Sequence, residues 1–273
     1  MLKLLRYLPG LLFMLFAFSA CEKVVEVDLE SSREALVIEA TICKDKSPFT
    51  VRVSKTSPYF GDQKTNPVSG AVVSGRSENR KVRYFTETSP GVYELDNVAA
   101  LPMSWYILEV EYGGITYTAR SFMNEMVQIA EVGLTYFDGF GIFDSGYKVN
   151  TYIRDPVNHE NYYRLKYFVN GQATNNSGAI TLYSDQLFNG KAIGLSQRSI
   201  VFQKTDTLTI ELQSIDKAAY DYFSTLENIL WTDLQQSASP ANPISNFSNG
   251  ALGYFSAYTF DSKTFIIKDL LEE

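Results

Sequence analysis

Residues 35–125 break into seven short runs of β-branched and aromatic side chains, each closed by Gly, Pro, Asn or Asp, and this succession leaves little room for helices. The runs are Leu36–Ile42, Phe49–Ser54, Ala71–Gly75, Val82–Thr86, Gly91–Leu95, Tyr106–Tyr112 and Ile115–Ser121. Branched and aromatic side chains fit the pleated surface of a sheet, whereas the residues between them favour turns. Seven such strands in about ninety residues match an immunoglobulin-like sandwich. Gly113-Gly114 joins the last two runs as a two-residue hairpin, since glycine takes positive φ at both turn positions without strain.

Beyond a boundary near residues 124–130 the strands continue, longer and more aromatic. Tyr147–Ile153 and Tyr162–Val169 are expected to pair antiparallel, with Asn170-Gly171 as a turn. Ile200–Phe202, Thr207–Leu212, Tyr254–Phe260 and Phe265–Lys268 follow. One helix is predicted near 216–234. Its apolar residues Ala219, Phe223, Leu226, Leu230 and Leu234 recur every three or four positions, and Asp216 stands where a side-chain oxygen caps the first turn. A single apolar stripe places this amphipathic helix on the face or open end of a sheet. The expected fold is mainly β: an N-terminal immunoglobulin-like β-sandwich over 35–125, then a larger antiparallel β domain over 126–273 carrying the helix.

Ahead of these strands, Lys3 and Arg6 precede the apolar run Leu11–Phe18, and Phe18-Ser19-Ala20 leads into Cys21. That order reads as a signal peptide over 1–20 with a lipobox-like end, making Cys21 the lipid acceptor. A membrane span needs about twenty apolar residues, and Arg6, Pro9 and Gly10 interrupt any longer run here. Acyl chains on Cys21 would bury dozens of methylenes at about 0.8 kcal/mol each, past the threshold for stable anchoring. Residues 21–34 then read as a tether or a first strand, with Val25, Val27 and Leu29 alternating with charges.

The chain carries 24 Lys and Arg against 31 Asp and Glu, a net charge of −7, and losing residues 1–20 would remove two of the positive charges. Such a surface excludes nucleic acid as a partner, because phosphate neutralisation needs a basic face. It also offers no polybasic patch to anionic lipids, so the N-terminal lipid is the expected membrane contact. With Cys21 acylated, Cys43 is the only thiol and lies in a strand-like run, where a free cysteine packs as a small hydrophobe. The lone histidine, His159, falls among turn formers and reads as an exposed loop residue, with no Gly-x-Ser-x-Gly elbow beside it. A zinc ligand set, a P-loop and a dinucleotide fingerprint are all missing from the sequence. No cofactor and no metal is therefore expected. Arg76, Arg80, Lys81 and Arg83 cluster beside Glu78 and read as a solvated hairpin.

The most unusual stretch is Phe137-Asp138-Gly139-Phe140-Gly141-Ile142-Phe143-Asp144-Ser145-Gly146-Tyr147. Asp138 and Asp144 are too sparse for a calcium loop, which needs several closely spaced oxygen ligands. A hairpin tip is the simpler reading. Its aromatics Phe137, Phe140, Phe143 and Tyr147 are the candidate partner-binding residues, because exposed apolar patches mark contact sites. The Ser/Asn/Pro/Gly-rich run from Pro240 to Gly250 is a long loop and a secondary candidate.

Several short motifs follow one another in a set order: Glu22-Lys23-Val24-Val25-Glu26-Val27-Asp28-Leu29 after Cys21, Pro67-Val68-Ser69-Gly70-Ala71-Val72-Val73, Gly91-Val92-Tyr93, Asp155-Pro156 and Asn161-Tyr162-Tyr163-Arg164. Asp185 with Leu187-Phe188-Asn189-Gly190, Ser214-Ile215-Asp216 with Tyr220-Asp221-Tyr222, Asn242-Pro243 with Ser245-Asn246, and Gly250-Ala251-Leu252-Gly253-Tyr254-Phe255 complete the series. In that order they resemble a domain-of-unknown-function family of Bacteroidetes outer-membrane lipoproteins found beside TonB-dependent receptors. The resemblance implies a lipid-anchored, non-enzymatic accessory or binding component of a TonB-dependent uptake system in the outer membrane. Its implied partners are the receptor and a small ligand, peptide or glycan. Surface exposure of the folded part is compatible with that reading, although Lys23 and two valines dilute the acidic run after the cysteine. The competing classes are a hydrolase of unknown substrate built on paired carboxylates and a structural envelope protein.

Overall fold

A computed structural model describes residues 34–271 apart from 57–65, 79, 97, 142–143, 158, 175–179, 198–199 and 235–240, and omits the side chains of 232–234. The expected signal peptide, Cys21 and all of the 21–34 tether but Glu34 lie outside the described residues. The strands are β1 (Leu36–Cys43), β2 (Phe49–Lys55), β3 (Asn66–Pro67), β4 (Val72–Ser77), β5 (Arg83–Tyr84), β6 (Thr86–Ser89), β7 (Val92–Leu95), β8 (Ser104–Tyr112) and β9 (Ile115–Met123). They continue as β10 (Ile129–Phe137), β11 (Gly146–Arg154), β12 (Tyr162–Val169), β13 (Gln172–Ala173), β14 (Thr181–Ser184), β15 (Ala192–Ser196), β16 (Thr207–Ile215) and β17 (Leu252–Ile266). The helix α1 spans Lys217–Leu234.

One long sheet in the order β13-β12-β16-β17-β1-β2-β7-β6 runs through the described residues, with β14 paired to β12 and β3 to β2. A four-stranded sheet, β5-β4-β8-β9, and a three-stranded sheet, β10-β11-β15, complete the β structure. Alternating burial follows from this layering. Along β1, Leu36, Ile38, Ala40 and Ile42 are buried while Glu39 points to solvent. They pack with Val51 and Val53 of β2 against Leu108 and Val110 of β8, which makes the first core. A second core joins Leu165 and Tyr167 of β12 and Leu208 to Leu212 of β16 to Val149 and Ile153 of β11.

The chain is thus mainly β, and the sequence boundary near 125 separates most residues of these two cores; a third, smaller cluster lies under the helix. One exchange crosses it. Phe247, Ala251, Phe255 and Ala257 belong to the first core, although they lie far beyond residue 125. They are brought there by β17, whose Leu252–Tyr258 stretch runs parallel to β1. The rest of the same strand pairs antiparallel with β16. The segment 35–125 therefore does not close its own sandwich. The two runs Tyr254–Phe260 and Phe265–Lys268 expected from the sequence belong largely to this one strand, which continues through Asp261-Ser262. Asp261 in fact accepts the Ile129 amide at 2.8 Å, fastening the start of β10.

A second correction concerns β11 and β12, whose expected antiparallel pairing does not form. They lie in different sheets, β11 between β10 and β15 and β12 beside β16. The residues between them cross from one sheet to the other, and the crossing is held by buried side chains. Asp155 accepts the Tyr163 hydroxyl at 2.5 Å and the Gly190 amide at 2.8 Å. Asn161 donates to the carbonyls of Pro156 at 3.1 Å and His159 at 2.8 Å. Burial, then the Asp155 hydrogen bond, holds the Tyr163 hydroxyl far above its ordinary pKa. Asn170-Gly171 does make a turn, but it joins β12 to the short β13.

The helix forms as its period requires. Asp216 caps it by accepting the Ala219 amide at 3.0 Å. Its buried side chains are Ala219, Tyr222 and Phe223, with Leu226 packed behind them, whereas Leu230 is exposed. Tyr222, absent from the expected stripe, takes a core place because its ring packs on Tyr254 at 4.8 Å. From β12 the Arg164 guanidinium lies 3.8 Å from the centre of the Phe223 ring, a cation–π contact beneath the helix. Cys43 is buried in the same cluster, and its thiol is pushed up to about 12 by burial.

Asp216 has a second role, because its other oxygen accepts the Phe122 amide of β9 at 3.0 Å. One buried carboxylate thus serves the helix and the first sandwich together. Asp216→Ala is expected to cost about 2 kcal/mol or more, a lost cap plus an unsatisfied buried N–H, read from urea denaturation. Burial raises the Asp216 carboxyl above its ordinary value against the pull of the N–H donors. The folded chain therefore holds this proton more tightly than the unfolded chain, so the associated stability is full below the ordinary carboxylate pKa and is lost as pH rises through the raised folded value. Asp216→Asn should remove that component of the pH–stability profile.

Candidate functional site

The hairpin of β10 and β11 carries the aromatic stretch picked out in the sequence, and its register decides where each ring goes. Tyr136 stands opposite Tyr147, and Phe137 opposite Gly146. Cross-strand partners share a face and neighbours alternate, so the expected group of four is divided. Tyr147 lies on the inner face, packed against the second core and edge-on to Tyr136 at 5.1 Å. Its backbone is also tied to Phe202 by two hydrogen bonds of 2.9 Å. Phe137 lies on the outer face, where Lys148 Nζ sits 4.2 Å from its ring centre. Phe140, at the tip between glycines with φ of 77° and 61°, is 82% exposed. Phe143 lies outside the described residues.

The outer face holds residues that the sequence reading missed. Following Phe137 and Lys148 come Asn150 and Tyr152, all on one side of the three-stranded sheet by the period-two rule. Tyr152 lies flat between two glycines: a Cβ on Gly133 would meet its ring at 3.0 Å and one on Gly194 at 2.9 Å. These glycines make room for the ring on the sheet surface, and it stays 40% exposed. Asn150 is held by Ser196 on β15 and donates to Thr135 Oγ1 at 3.3 Å on β10. Tyr136, on the other face at the tip, is 55% exposed. The signal that could have found this surface is the even spacing of Lys148, Asn150 and Tyr152 with glycines on both neighbouring strands. Its chemistry is that of a contact surface: flat aromatic area, the cations Lys148 and Arg154, and an oriented amide.

The polar residues of the crossing between β11 and β12 are occupied within the fold. Asp155 and Asp185 are buried, and Asp185 lies 3.4 Å from the Asn161 amide. His159 is half-buried rather than exposed. Among the described residues no three His, Cys, Asp or Glu side chains gather as metal ligands. None of the described helices is long and apolar enough to cross a membrane.

Two β-sandwiches sharing a continuous sheet, with a helix docked on it and an aromatic stripe on an outer face, define the class of this molecule. The chain belongs to the family of the domain of unknown function DUF4249, whose model matches residues 22–264. No curated protein matches it. Among solved structures, a two-domain fibronectin type III segment of chicken tenascin is similar over 67% of this chain and 91% of its own, with 14% identity and a TM-score of 0.21. The FN1–FN3 domains of chicken CNTN1 are similar over 65% of this chain and 59% of theirs, with 12% identity and a TM-score of 0.25.

Proposed function

We propose that this protein is a non-enzymatic binding component of a TonB-dependent uptake system, anchored in the outer membrane through lipid on Cys21 and contacting its receptor through the outer face of β10-β11-β15. The observation that carries the reading is the exposed aromatic tip, above all Phe140, beside the Phe137–Tyr152 stripe. Contact energy concentrates in such rings once a partner pocket covers them. The export signal and lipobox supply the anchor, and the ordered motifs resembling lipoproteins beside TonB-dependent receptors supply the partner class.

The test is a mild-detergent pull-down from native membranes with Cys21 intact, comparing wild type with Phe140→Ser and Tyr152→Ser together. Phe140 is so exposed that its replacement should shift stability by less than about 0.5 kcal/mol. The double variant is expected to keep its membrane location and lose most of the receptor. Equal recovery of the receptor by both proteins would remove this face from the contact. Cys21→Ser should leave the chain unlabelled by palmitate, and a labelled, membrane-bound Ser variant would overturn the anchor.

A further inference from the structure

At one open edge of the first sandwich, where β4 and β5 face the ends of β1, β2 and β7, lies a pocket of about 410 Å³. Sites for small molecules typically span roughly 300–1,000 Å³. The floor is apolar: Ile42, Phe49, Phe85 and Tyr106 are all buried residues that line it. Gly75 shapes that floor, because a Cβ there would meet the Phe85 ring at 3.2 Å. One wall is the stretch from Val98 to Leu101, fixed from below by Tyr106, whose hydroxyl receives the Leu101 amide at 2.6 Å and donates to the Leu101 carbonyl at 3.1 Å. The cavity is therefore a formed part of the fold.

The rim has the opposite character. Arg76, Arg80, Lys81 and Arg83 all line the pocket, and among the described residues no Asp or Glu does. Arg80, Lys81 and Arg83 are exposed, and Arg83 shares the inward face of Gly75, whereas Arg76 is half-buried and its place between Gly75 and Ser77 on β4 puts its side chain on the opposite face. None of the four forms an ion pair with any carboxylate among the described residues. In a chain with net charge −7, three exposed cations without an ion pair among the described residues, at the mouth of one apolar cavity and next to Glu78, are a local reversal of the charge balance. Their mutual repulsion is relieved by an anion, and low-dielectric walls concentrate their field at the mouth. Guanidinium groups match a carboxylate through paired N–H donors.

We infer that this pocket binds an amphipathic carboxylate, its apolar body on the Phe49–Phe85 floor and its carboxylate among the arginines of the rim. The cluster that reads in the sequence as a solvated hairpin is on this account the charged half of a binding site. The inference is independent of the aromatic face proposed above, which lies on the other sandwich.

A charge series on one apolar body tests it: 4-phenylbutyrate, its neutral amide and 4-phenylbutylamine, titrated against the full chain in nanodiscs of zwitterionic lipid with empty nanodiscs subtracted. The carboxylate is expected to bind best and the amine worst. Arg80→Gln with Arg83→Gln should weaken the carboxylate about tenfold or more, the loss expected for charge-assisted hydrogen bonds, while leaving the amide nearly unchanged. Ala99→Trp, on the exposed part of the wall, should exclude all three by filling the mouth, and unchanged melting temperatures would show both variants folded. Phe140→Ser should bind the carboxylate as wild type does. The inference fails if the carboxylate does not bind at millimolar concentration, if the amide binds equally well, if the double Gln variant keeps the preference, or if Phe140→Ser loses binding.

Discussion

Gly253→Ala is expected to abolish the folded state. Gly253 has a φ of +97° and stands opposite Ile38 in the parallel pairing of β17 with β1. A Cβ there would fall inside the Ile38 backbone, its carbonyl oxygen above all. Backbone cannot swing aside as a flexible side chain does, so the two strands must separate. Opening that pair exposes Phe255 and Ala257, both fully buried. The expected cost is about 4 kcal/mol or more, close to the whole stability of a marginal domain. Gly113→Ala provides the control: its φ is +61°, but nothing lies within 4 Å of the added atom. Only the conformational cost of about 1–2 kcal/mol remains there. Chemical denaturation of the two variants separates the effects, and a Gly253→Ala protein as stable as Gly113→Ala would show that β1 and β17 are not joined in this way.

Dividing the chain at residue 125 is expected to have unequal consequences. Residues 35–125 alone lack Phe247, Ala251, Phe255 and Ala257, four members of the first core. Removing two buried phenylalanines costs about 6 kcal/mol or more, so circular dichroism should find this half unfolded. Residues 126–273 contain every member of the second core and should keep a cooperative melt. That half would nevertheless present the unpaired Leu252–Tyr258 edge, which invites aggregation. Mixing the halves should restore the first sandwich and solubilise the second. A folded 35–125 fragment would mean that the β17 contribution is dispensable.

The elements set by local chemistry were legible in the sequence. The Gly113-Gly114 turn, the strand character of 36–42 and 162–169 and the Asp216 cap each depend on residues close to one another in the chain. What escaped was pairing over long distance. Nothing near Leu252 signals that its strand runs parallel to one more than two hundred residues earlier, because both read as apolar strands whatever their neighbour. The β11–β12 error has the same origin: a seven-residue turn-rich link looks alike whether it closes a hairpin or crosses between sheets, and only the buried partners of Asp155 and Asn161 distinguish the two. At the aromatic tip, composition identified the region but register sorted its rings, sending Tyr147 inward and leaving Phe140 and Phe137 outward. The basic cluster was visible as charges, but the cavity beneath it is made by Ile42, Phe49 and Leu95, which come from other parts of the chain.

The path of β17 also sets an order of events for a chain that emerges amino end first. Residues 36–123 emerge first, but β1 has an open edge until 252–258 arrive, and β16 has one until 259–266 follow. Both sandwiches therefore close in the same late step, by contacts of the long sequence separation that slows folding. Such a polypeptide stays loose for most of its length and acquires its rigidity only when its last long strand is in place.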